Sequence, residues 1–127
     1  MKNAKLTEED LRRFTGTDQY HRHGLVRHVL YTDGVRYVAE AAGAYWLLDK
    51  IATLQTEKPI ATQGFQVWRL IVNGTKATLT CDDGDQIGVG DSKPIILHSE
   101  EIGFTDFPLE KIEIWVEGSV ILLPSEH

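Results

Sequence analysis

The chain is poor in cysteine, methionine and proline: one, one and four among 127 residues. A single Cys81 has no partner within the chain, which excludes an internal disulfide framework and suits a reducing compartment. Long apolar runs are missing too. The longest, residues 41–48, ends at Asp49 and has less than half the length that spans a bilayer. A signal peptide needs an apolar stretch after its basic start, and acids Glu8, Glu9 and Asp10 arrive instead. These absences predict a cytoplasmic protein with no membrane partner. Repeats and low-complexity segments are also lacking, so residues 1–127 read as one domain. Three catalytic signatures are absent: a phosphate-binding P-loop, a Gly-x-Ser-x-Gly elbow, and a third glycine after Gly88-Val89-Gly90.

Positive charge is scarce. Thirteen Lys and Arg stand against nineteen Asp and Glu, a net charge of −6. The deficit is uneven: residues 1–70 carry net +2, residues 71–127 net −8. An acidic half repels phosphates and favours basic partners. Arg12, Arg13, Arg22, Arg27 and Arg36 are interspersed with acids, so a nucleic-acid partner is not expected.

Local patterning predicts an α+β fold. Thr7 with Asp10 approximates a capping box, opening a short N-terminal helix that runs to about Phe14 and stops before Gly16. Residues 15–24 read as a loop. Residues 25–31 and 35–38 read as strands joined at Asp33-Gly34, a favoured hairpin turn. A helical period spans residues 39–55, with Ala44, Leu47, Leu48, Ile51 and Leu54 on one face. Strands follow at 65–72, 75–81, 93–98, 111–117 and 119–123, with Asn73-Gly74 and Gly118 as turns and a short strand near 87–89. The expected architecture is a mostly antiparallel sheet of about six strands, with a long helix packed on one face and the short N-terminal helix beside it.

Several large side chains exceed what two layers need. Trp46 lies off the core stripe of its helix, Trp115 lies on the polar face of its strand, and residues 65–72 are apolar on both faces. Either residues 1–24 and 99–110 cover them, or they anchor a partner protein or a second copy in a homodimer. The acidic set Asp82, Asp83, Asp85, Asp91 and Asp106 would capture a basic partner. Its glycine falls in the wrong register for a calcium loop, and no glutamate follows at the required spacing. His21 and His23, with Tyr20 before and His28 after, form the one cluster suited to metal ligation or acid–base work, but no further ligand is recognisably spaced. No cofactor is expected. Cys81 sits within the apolar alternation of Ala77 and Leu79 and reads as a small buried hydrophobe.

Several phrases together resemble a known family: Phe14-Thr-Gly-Thr17 with Tyr20 and Arg22-His23, Tyr31-Thr-Asp-Gly-Val35, Ala42-Gly-Ala-Tyr-Trp-Leu-Leu-Asp49, Phe65-Gln-Val-Trp68, Phe104-Thr-Asp-Phe-Pro-Leu109 and Leu123-Pro-Ser-Glu126. It is a family of small bacterial proteins of unknown function, found near plasmid and mobile-element genes. The resemblance implies a complete single domain and supplies no activity, cofactor or catalytic residue. The expectation is therefore a non-catalytic binding protein, regulatory or anti-defence on a mobile element. A metal protein or enzyme at Tyr20, His21 and His23, and a nucleic-acid accessory protein, are the alternatives.

Overall fold

An interior strand of the sheet is β3, Phe65–Asn73, and its side chains define the two faces. Gln66, Trp68 and Leu70 are buried beneath helices, while Phe65, Arg69 and Ile71 point to the opposite face. The computed structural model describes residues 6–16, 19–84 and 95–127. Within them, seven strands form one sheet in the order β1-β2-β7-β6-β3-β4-β5. The other strands are β1 Tyr20–Arg22, β2 Leu30–Thr32, β4 Lys76–Asp82, β5 Ile96–Ile102, β6 Lys111–Glu117 and β7 Val120–Leu122. Every pairing is antiparallel except β2 with β7, so the sheet is mixed.

The capping box at Thr7 forms as its residues dictate: the Asp10 N–H donates to Thr7 Oγ1 and the Thr7 N–H to Asp10 Oδ2, both at 3.1 Å. It opens α1, Glu8–Arg12, which ends two residues earlier than expected. The turn at Gly118 is tight, with Gly118 and Ser119 both at positive φ, as the right-handed twist of a two-residue hairpin requires.

Two expectations are corrected. Asp33-Gly34 is not a hairpin turn, and residues 35–38 are not a strand. Thr32 Oγ1 accepts the Val35 N–H at 3.2 Å and caps α2, Asp33–Ala41, with Asp33 in the first turn. The single helix over 39–55 is two helices. Gly43 at φ +63° ends α2, and the Ala44 N–H closes back on the Ala39 carbonyl at 2.8 Å, a Schellman stop. The second helix, α3, is Tyr45–Leu54. Its stripe holds: Ala44, Leu47, Leu48 and Ile51 are buried, with Leu54 half-buried.

Helices α2 and α3 share one face of the sheet. Val35, Val38, Leu47, Leu48 and Ile51 pack on Trp68, Leu70, Leu79, Ile112, Ile114, Val116 and Ile121. Burying such side chains contributes about 1.5–3 kcal/mol each. Beneath α3 a polar cluster is fully satisfied. Gln55 and Gln66 exchange side-chain amide bonds at 2.8 Å, and Trp68 Nε1 donates to Gln66 Oε1 at 2.9 Å. Other differences are at the edges. β1 forms where a loop was expected, and β2 takes only the end of residues 25–31. β5 runs from Ile96 through Ile102, so residues 99–102 are strand rather than covering loop, while 93–94 and the short strand near 87–89 lie outside the described residues.

Lys50 of α3 reaches β5, its Nζ 3.0 Å from Glu100 Oε2, and His98 Nε2 lies 2.7 Å from Glu100 Oε1. Burial pushes the Glu100 carboxyl up, but His98 and Lys50 outweigh it and hold it below its ordinary 4.5. The stabilisation from this lowered group is complete above that ordinary value and disappears as pH falls through the folded-state value. Thermal melts of Glu100→Gln should therefore show a shallower acid limb than wild type. Identical limbs would remove Glu100 as a source of acid sensitivity.

Candidate functional site: the open face of the sheet

The imidazoles are tied down separately. His21, on β1, has Nε2 2.8 Å from Asp33 Oδ1 and its ring 5.4 Å from Tyr31. His23 is buried, and its Nδ1 accepts the N–H groups of Leu25 and Val26 at 3.2 and 3.0 Å. Its proton is therefore on Nε2, which donates to Asp49 Oδ1 on α3 at 2.8 Å. Both His23 nitrogens are committed, and neither offers a lone pair to a metal. His28 and Tyr20 are exposed. Among the described residues no group of three His, Cys, Asp or Glu is placed to hold a metal ion. Cys81 is buried, which pushes its thiol up to about 12, with Asp82 and Asp83 adding to the shift. It is not a thiolate near neutrality.

The acids do not form one exposed patch. Asp82 is 2% exposed. It accepts from Arg69 Nη1 across the β3–β4 ladder and from the Gly84 N–H at 2.8 Å. Asp83 accepts the Ile95 N–H at 3.1 Å. Asp106 is exposed, and Asp85 and Asp91 lie outside the described residues. The early arginines are dispersed as well. Arg13 pairs with Asp10, Arg36 with Glu40, and Arg22 donates to the Arg27 carbonyl.

The distinctive surface is the sheet face away from α2 and α3. Trp115 of β6 stands there because Ile112, Ile114 and Val116 take the inward positions of the same strand. It is half-buried, its ring 5.3 Å from Phe65 and 5.1 Å from His127 in edge-on contacts. Its Nε1 donates to Glu113 Oε2 at 2.7 Å, and His127 Nε2 is 3.0 Å from Glu117 Oε1. Arg69 lies beside this group, with Nε 3.6 Å from Glu113 Oε1. Gly84 leaves room for Phe65: a Cβ there would sit 2.6 Å from the ring, and φ is +81°. Trp46 is half-buried on the opposite side, against the helical core.

A family model described as a family of unknown function, DUF6876, matches residues 5–127. The chain belongs to that family. No curated protein and no solved structure matches it. The match takes in every described residue, so the open face, the histidines and the Asp82 ion pair all lie inside the family domain. No helix among the described residues is long and apolar enough to cross a membrane.

Where the open face meets α1, a groove of about 400 Å³ is lined by Leu11, Ile71, Ile112, Leu123 and Pro124, with Arg12, Arg69, Lys111, Glu8 and Glu113 around it. The sequence singles out Trp115 and the two-sided apolar run 65–72 that contains Phe65, but not Arg69, His127 or this groove. Residues 65–72 did carry a signal, their apolar character on both faces. The Arg69–Asp82 pair carried none.

Proposed function

We propose that this protein is a non-catalytic binding protein that acts through protein–protein contact on the open face of its sheet. One observation carries the reading: α2 and α3 cover one face, while the other presents Phe65, Trp115 and His127 in mutual contact beside Arg69. A face that merely met solvent would alternate to small polar residues. Aromatic and arginine side chains are the types that dominate binding energy at protein interfaces. Trp46 becomes the weaker anchor, since it packs against the core on the side of the helices. Exposed Asp106 and half-buried Asp83 would add electrostatic steering for a basic partner. The resemblance to bacterial proteins encoded near plasmid and mobile-element genes supports a cytoplasmic regulatory or anti-defence role.

Capture from host lysate, nuclease-treated, tests this with wild type, Trp115→Ala and Trp46→Ala side by side, each checked for a retained melting transition. A stoichiometric protein lost with folded Trp115→Ala and kept with Trp46→Ala is the expected result. Loss with Trp46→Ala alone would move the interface to the helical side. A partner indifferent to both, or none at all, would defeat the reading.

A further inference from the structure

The groove at α1 has the composition of a small-molecule site. Its volume, about 400 Å³, falls in the range of roughly 300–1,000 Å³ typical of such sites, which are mostly apolar with a few polar groups. Four segments distant in sequence build it: α1, the end of β3, the start of β6, and residues 123–125. Ser125 Oγ donates to the Leu11 carbonyl at 2.9 Å and holds one wall to another. Ile71 is 46% exposed although it lies on an interior strand, so the groove leaves apolar surface in water.

Charge then selects the ligand. Arg69 is engaged by Asp82 and Glu113, and Glu113 also accepts from Trp115. Arg12 and Lys111 are exposed, and among the described residues neither has an ion-pair partner. Two uncommitted cations therefore stand at an apolar groove in a chain of net charge −6. Glu8 and Glu113 at the same rim oppose a second negative charge on the ligand.

We propose that this groove binds a small organic monoanion: a carboxylate on an apolar aliphatic or aromatic body. Arg12 and Lys111 take the carboxylate, and Leu11 and Ile71 take the body. The arginine fork suits a carboxylate, and the apolar floor gains from covering what Ile71 leaves open. This goes beyond protein contact through Trp115, and each idea can fail alone.

The test is titration of the full chain, by calorimetry and amide resonance shifts, with hexanoate and 3-phenylpropanoate. Hexanamide, 3-phenylpropanamide and phenyl phosphate are the matched controls. Saturable binding of a carboxylate at millimolar concentration or below is expected, with shifts centred on Leu11, Ile71 and Ile112. The amides and the dianion should bind about tenfold more weakly, since a charge-assisted contact is lost or an acid repels. Arg12→Gln and Lys111→Gln, both at exposed positions, should each weaken the carboxylate about five- to tenfold without changing the melting temperature. The proposal is overturned by no saturation with either carboxylate, by equal affinity for the amides, by indifference to both substitutions, or by shifts centred away from the groove. None of these outcomes bears on partner capture through Trp115, which uses a different variant and readout.

Discussion

Gly34→Ala should destabilise the protein by about 2 kcal/mol, although alanine is the better helix former by about 1 kcal/mol. Gly34 lies in the first turn of α2, and an added Cβ would stand 2.7 Å from the Glu126 carboxyl carbon. A flexible carboxylate could swing aside, but this one is buried and held. It accepts from Thr32 Oγ1 at 2.6 Å, the Gly34 N–H at 3.1 Å and the Leu123 N–H at 2.9 Å. Its charge also sits at the N-terminal end of a helix, where a negative group is favoured. Displacing it breaks bonds worth about 1.5–3 kcal/mol each, more than the propensity gain. Glu126→Ala removes the whole set and should cost about 3–4 kcal/mol. A double-mutant cycle in urea gives the sharper result. With Glu126→Ala already present, Gly34→Ala should turn neutral or stabilising, because only the propensity gain remains. An equal loss in both backgrounds would show that the carboxylate is not why glycine stands at 34.

Arg69→Ala is expected to cost more than Asp82→Ala, although both break the same ion pair. The side chain of Asp82 is 3% exposed and that of Arg69 40% exposed. Removing the arginine strands a buried carboxylate that keeps, among the described residues, only the Gly84 N–H, a situation that costs about 3–5 kcal/mol. Removing the acid leaves a guanidinium that water and Glu113 still reach, plus one unpaired N–H, for about 1–2 kcal/mol. Denaturant unfolding of the two single variants and the double variant checks this, the double resembling Asp82→Ala. Equal or reversed losses would mean that burial of Asp82 is not what makes the pair matter. The same asymmetry bears on partner mapping. A loss of binding in Asp82→Asn would report a disturbed ladder, whereas Asp106, exposed, can be neutralised as a clean probe of charge.

Misreadings of the sequence arose where one short signal has two physical uses. Asp-Gly suits a hairpin because glycine tolerates positive φ. At 33–34 the same pair starts a helix, and glycine is needed because a carboxylate 92 residues away occupies the space of its Cβ. The helical period over 39–55 runs straight through Gly43, yet its left-handed φ is a helix's end. For Asp82, the acids Asp82, Asp83, Asp85 and Asp91, close in sequence, suggest an exposed cluster. A cross-strand arginine 13 residues earlier engages one of them, which is buried on the open face.

What the sequence determined alone is local and periodic: the Thr7 capping box, the Ala44-to-Ile51 stripe, the alternation at 77–81 and 111–117, and the tight turn at Gly118. Each rests on neighbours within a few residues, whose backbone preferences and spacing act before the chain is folded. Tertiary structure alone decided the parallel joining of β2 to β7, the burial of Asp82 against Arg69, the fit of Gly34 to Glu126, and the meeting of α1 with the ends of β3 and β6 to form the groove. Those contacts join segments far apart in the chain, so no period or short spacing records them. Only strand pairing across the sheet and the docking of the helices and the C-terminal segment on it put their residues together.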